Sequence, residues 1–208
     1  MKILKIHWLI ALLGLSLLSI LSNIDSIEWG KTRGGDALSL DFYMPDFVRD
    51  SIFNFGQFPQ WIPTYLGGMP FWANSENVVF SIWQIFYNII PINTADLINL
   101  RIIFTPVIAG ILMYLLAREL GLNPMPSFIA GFIYMNNGMM RHWGYSWFSR
   151  ADAIALVPLA FLFFYKAYKE KNWLLYSILC ALTLAYPIIN GGLVAFVFMA
   201  LLFFLFYI

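Results

Sequence analysis

Residues 97–117 read Leu-Ile-Asn-Leu-Arg-Ile-Ile-Phe-Thr-Pro-Val-Ile-Ala-Gly-Ile-Leu-Met-Tyr-Leu-Leu-Ala, with Arg101 near one end and Arg118-Glu119 closing the other. A run of about 20 residues with almost no charge is long enough to cross a hydrocarbon core as a helix. The turn signal Gly121-Leu122-Asn123-Pro124 follows, since glycine and proline stop helices. Working outward, the same pattern recurs. Residues 6–24 carry no charge between Lys5 and Asp25 and form a first span. Leu21-Ser22-Asn23 is a poor cleavage site, so this span is expected to be retained rather than removed as a signal peptide.

Further spans are predicted over residues 124–140, 149–168, 172–188 and 193–208. The fourth of the six is the least apolar, because it must recruit Asp152 and Lys166 to reach full length. No charge follows Lys171, and Pro187 with Asn190-Gly191-Gly192 marks the bend between the last two spans. The final span has no flanking charge and no loop after it, so the chain is expected to be the N-terminal part of a longer protein. Composition agrees with a lipid-solvated chain: 61% of residues are hydrophobic and 11% charged, against roughly half and a quarter in a soluble domain. A net charge of +1 without a basic cluster argues against a nucleic-acid partner. Cys180 is the single cysteine, so no intramolecular disulfide is possible. The expected fold class is therefore all-α, a polytopic transmembrane helical bundle with the bilayer as its first partner.

The basic residues set the expected orientation. With the N-terminus cytoplasmic, Lys2, Lys5, Arg118, Lys166, Lys169 and Lys171 lie inside. The acids then fall mostly outside, many of them in a loop of residues 25–96. Two interfacial amphipathic helices are predicted in that loop. One starts near Asp41, with Met44, Phe47, Val48, Ile52 and Phe55 on its apolar side and Asp46, Arg49, Asp50 and Asn54 opposite. The other starts near Ser75 and carries the polar stripe Asn77, Ser81, Gln84 and Asn88. An extra span there would invert everything downstream and put the lysine-rich loop outside. Between the two helices, residues 59–72 are dense in Pro, Gly and aromatic rings, which predicts an ordered non-helical turn. Its rings suit either an aromatic belt at the headgroups or a platform over a site.

A first span, an outer loop with Gly35-Asp36 and Tyr43-Met44-Pro45, and a Trp61-to-Pro70 element between two interfacial helices occur in order. This order resembles the YfhO family of bacterial membrane proteins and, more broadly, the GT-C superfamily glycosyltransferases. The resemblance implies an enzyme that takes a sugar from a polyprenyl-phosphate carrier and passes it to an acceptor on the outer face. It also implies that an acidic residue of the first outer loop serves catalysis, a place matched by Asp36 or Asp41. Such transfer needs a carboxylate as general base, cations for the departing phosphate and an apolar groove for the lipid tail.

Asp36 beside Gly34-Gly35 is the preferred base, and Asp41 doubles as a helix cap. Arg141 and Arg150, at the two ends of a predicted outer loop 141–150, are the candidate phosphate ligands, with lipid-headgroup binding or the pairs Arg150–Asp152 and Arg101–Asp96 as the plain alternative. Trp61, Tyr65, His142 and Trp143 are candidate substrate contacts, and interfacial belt residues otherwise; Asp152, at the outer end of the fourth span, is another, and a partner of Arg150 otherwise. No cofactor is implied; Glu28, Asp36 and Asp41 are the oxygen donors a divalent cation would use. A membrane scaffold or assembly factor for cell-surface polymers, and a transporter, stand as the other classes.

Overall fold

The computed structural model describes residues 2–27, 31, 42–63, 67–71, 79–190 and 192–207. These are almost wholly helical. In chain order they form α1 (Lys2–Asn23), α2 (Tyr43–Phe53), a hairpin of β1 (Trp61–Ile62) and β2 (Met69–Pro70), α3 (Ile82–Ile89), α4 (Thr94–Glu119), α5 (Pro124–Met135), α6 (Gly138–Ser146), α7 (Phe148–Ala155), α8 (Val157–Lys169), α9 (Trp173–Ile189) and α10 (Leu193–Tyr207). Two stretches, Thr94–Glu119 and Phe148–Lys169, are long and apolar enough to cross a membrane, and shorter apolar helices accompany them.

α4 is the axis of the molecule. Asn93 caps it by accepting from the Asp96 amide at 2.8 Å, while its own amide donates to Asp96 Oδ2 at 2.7 Å. Its far end closes in a Schellman turn. The Leu122 amide reaches Ala117 O and the Gly121 amide reaches Arg118 O, both at 3.1 Å. Gly121 sits at φ +92°, open to glycine at no steric cost. Pro124 then starts α5. The two helices approach so closely that a Cβ on Gly131 would lie 2.6 Å from the Gly110 carbonyl oxygen, the kind of small-residue contact common between membrane helices.

Contacts along α4 set the directions of its neighbours. α1 runs antiparallel to it: the Ser19 hydroxyl donates to Ile103 O at 2.8 Å, and Trp8 meets Tyr114 edge-on at 5.4 Å. α7 and α8 run alongside α4 in its own direction, and Lys166 meets Glu119 at 3.3 Å where both helices end. α9 returns antiparallel, with Cys180 Sγ against Ala160 O. The Pro187 and Asn190 bend falls where expected, at the α9 end. One pole of the molecule thus holds Asn23, Asn93 and Tyr145, and the opposite pole holds Glu119 and Lys166.

Four expectations need correction. The predicted span 124–140 breaks after Met135, because Asn137 caps a new helix by accepting from the Met140 amide at 2.8 Å. The predicted loop 141–150 is helical, forming most of α6 and the start of α7. Phe55 lies beyond the end of α2 and is exposed, whereas Met44 and Val48 pack into a small core with Ile62, Phe71 and Val79. The described part of the second amphipathic helix is turned the opposite way from a water-facing one. Its polar stripe, Ser81 and Gln84, is fully buried, and Ile82, Ile85 and Ile89 are 60%, 54% and 75% exposed. The reason is hydrogen bonding. Ser81 caps the Trp83 amide at 3.2 Å, and Gln84 donates to Pro45 O at 3.1 Å and to Asn88 at 3.0 Å.

Candidate functional site

The most buried charges lie where α3, α4 and α7 meet. Arg101 and Thr105 share one face of α4, four residues apart. Arg101 donates to Asp152 Oδ2 at 2.9 Å, and Thr105 donates to Asp152 Oδ1 at 3.1 Å. The second donor to Oδ1 is the indole Nε1 of Trp83 on α3, also at 3.1 Å. The Arg101 guanidinium lies over Phe148 at 4.8 Å. Side chains of the ion pair are only 2% and 5% exposed. A carboxylate removed from water must be neutralised and hydrogen-bonded to persist, and this one accepts from three donors. It borders an apolar cavity of about 250 Å³ walled by Ile82, Ile108, Leu156 and Tyr186. Chemically, the arrangement is a clamp. Asp152 is held in place and in turn holds Trp83, pinning α3 to α4 and α7.

A second polar joint lies at the start of α4. The Tyr87 hydroxyl donates to Asp46 Oδ1 on α2 and lies 3.0 Å from Thr94 Oγ1. Arg49 sits over the Tyr87 ring at 4.8 Å and donates to Ile92 O at 3.3 Å. Burial, and then the hydrogen bond to Asp46, push the phenol above its ordinary value of 10.0. Asp46 and Arg49, read from sequence as the outward polar side of α2, therefore work inward. Their signal was the i, i+3 spacing of opposite charges on a helix that carries aromatic neighbours.

The arginines expected to bind phosphate both sit on the α6–α7 unit but reach different partners. Arg141 donates to Ser22 O at the end of α1, at 3.1 Å, beside the Tyr145 to Asn23 hydrogen bond of 2.6 Å. Arg150 stacks on Trp147 at 3.9 Å and lies 6.0 Å from Trp143. His142 is exposed and meets Trp147 edge-on at 5.9 Å. Trp143 is buried, and its ring also borders an apolar cleft of about 460 Å³ that runs along α10 past Ala195, Phe198 and Leu202. Trp61 is half exposed on the hairpin, where Gly68 at φ +105° packs beneath its indole.

Asp152 corrects the expectation in two ways: its partner is Arg101 rather than Arg150, and it is enclosed rather than presented at the outer end. Asp36, Asp41 and Tyr65, and with them Glu28, lie outside the described residues. Among the described residues no three of His, Cys, Asp and Glu gather as a metal-binding group. No family model, curated protein or solved structure matches the chain.

Proposed function

We propose that the chain is a membrane-embedded glycosyltransferase module that takes a sugar from a polyprenyl-phosphate carrier on the outer face of a membrane. In this reading the chain is a multi-pass protein with its N-terminus cytoplasmic. The Asn23 and Asn93 pole faces outward, and loop 25–96 lies over it. The alternating directions of the apolar helices and the lysines at the Lys166 pole support that orientation.

The observation that carries the proposal is the shared position of Trp143. Its ring walls the apolar cleft beside α10 and also lies near the guanidinium of Arg150. A prenyl chain seated in the cleft would bring its phosphate towards a planar cation suited to phosphate oxygens. Asp36, or else Asp41, is then the base that takes the proton of the acceptor hydroxyl. The contacts at Asp152 and Tyr87 hold α2 and α3 on the bundle. A non-catalytic scaffold is favoured by one observation, that Asp152 is engaged by three protein donors.

The test is sugar transfer from a labelled polyprenyl-phosphate donor by the full-length protein in membranes. Asp36→Asn abolishes transfer with donor binding kept, and Arg150→Ala weakens donor binding. Undiminished transfer in Asp36→Asn moves the base to Asp41; no transfer by the wild type across several donors supports the scaffold.

A further inference from the structure

At the pole that holds Glu119 and Lys166, α4, α5 and α8 enclose a further apolar cleft of about 380 Å³. Leu116 and Leu120 of α4 line one side, and Phe161, Phe164, Tyr165 and Tyr168 of α8 line the other. Its far end lies at Val157, the first residue of α8, and at Tyr134 of α5. Its volume lies within the range of small-molecule sites.

Length narrows the occupant. Between Val157 and Tyr168, α8 rises about 16 Å. The hydrocarbon of one leaflet is about 15 Å deep, half of a bilayer core. The cleft therefore matches the layer filled by one acyl chain, open where the helices end and closed near the midplane.

Charge at the mouth narrows it again. Arg118 lies in the last turn of α4, and Lys166 and Lys169 in the last turn of α8. Glu119 offsets Lys166, with Nζ and Oε2 3.3 Å apart. Lys169 meets no carboxylate among the described residues. Its ammonium lies 5.3 Å from the centroid of the Tyr165 ring, which lines the cleft. Lys169 and its neighbour Tyr168 are both exposed, so a headgroup can reach this cation directly. A phosphodiester with net negative charge gains from the ammonium, whereas a zwitterionic headgroup brings its own cation to the same mouth.

We propose that this cleft binds an anionic phospholipid of the leaflet at the Glu119 pole. One acyl chain lies along α8 as far as Val157, and the phosphate sits at the Lys169 ammonium. Basic groups beside a groove between membrane helices are the arrangement that retains acidic lipids. The proposal rests on α4 and α8 crossing a bilayer and is independent of sugar transfer.

The full-length protein in detergent is titrated with phosphatidylglycerol and with phosphatidylcholine of the same acyl chains, and bound lipid is counted by native mass spectrometry. The wild type binds phosphatidylglycerol about five-fold more tightly, which is what one lysine beside an anionic headgroup contributes. Lys169→Gln, a substitution at an exposed position, brings the two lipids close to parity. Lys5→Gln removes the same charge from α1, which does not border the cleft, and keeps the preference. Acyl chains half as long weaken both lipids and keep the preference too. Equal binding of the two lipids by the wild type overturns the site. So does an equal loss of preference in Lys169→Gln and Lys5→Gln, which assigns the effect to overall charge. Recovery of the protein in the soluble fraction without detergent overturns instead the crossing of the bilayer on which the site rests.

Discussion

Removing Asp152 costs far more than removing its partner. In Asp152→Ala, the Arg101 guanidinium stays buried with its counter-charge gone, and Trp83 Nε1 and Thr105 Oγ1 lose their shared acceptor. Breaking a buried pair in this direction costs about 3–5 kcal/mol, and a guanidinium cannot escape by losing its proton. In Arg101→Met the carboxyl group can take up a proton and still accept from Trp83 and Thr105. The cost there is about 1–3 kcal/mol, that of one lost hydrogen-bonded partner. The double variant Arg101→Met/Asp152→Ala removes both charges and leaves apolar side chains in their place, so it is more stable than Asp152→Ala alone. The assay is unfolding of the full-length protein by SDS titration in mixed micelles, followed by tryptophan fluorescence, with all four proteins forming a double-mutant cycle. Additive effects, or Asp152→Ala no worse than Arg101→Met, would refute the clamp.

Gly131→Ala pushes a methyl into the Gly110 carbonyl and is expected to cost about 1–3 kcal/mol; an unchanged SDS midpoint would place α4 and α5 further apart than described. Tyr87 ionises less readily in the folded protein than in the unfolded chain, whose phenols titrate near 10.0. The unfolded state therefore binds fewer protons there, and the contribution of Tyr87, complete below that pH, is lost as pH rises through the folded value. A Tyr87→Phe variant should show a shallower alkaline loss, and identical pH profiles would sink the assignment. Ile85→Cys should resist a membrane-impermeant maleimide in intact membranes while Gln57→Cys reacts; equal labelling would put the exposed face of α3 in water.

The helices were legible wherever the sequence combined a charge-free run with a local stop signal. Gly121-Leu122-Asn123-Pro124 carries both the αL residue and the N1 proline of the α4–α5 turn, so it could be read without knowing what packs nearby. The break at Asn136-Asn137 was not legible, because asparagine caps a helix only if the chain turns there, and nothing local demands the turn. For α3, periodicity located the polar stripe but carried no sign. Ser81 and Gln84 could face water or protein, and the choice was made by the Pro45 carbonyl on another helix. The Arg101–Asp152 pair spans 51 residues, and a long-range pairing of single charges leaves no trace in composition or spacing. Arg150, two residues from Asp152, was the plausible neighbour until two tryptophans claimed it.

That separation also sets a schedule for biogenesis. In a chain threaded into the bilayer from its N-terminus, Arg101 leaves the ribosome 51 residues ahead of Asp152, which is roughly 3–10 s at typical synthesis rates of about 5–20 residues per second. During that interval α4 is a segment with an uncompensated cation, better held at the insertion machinery or the water interface than released into lipid. Arrival of Asp152 neutralises the cation and supplies the acceptor for Trp83, so α3 and α4 reach their packed arrangement only once the α7 segment has been made.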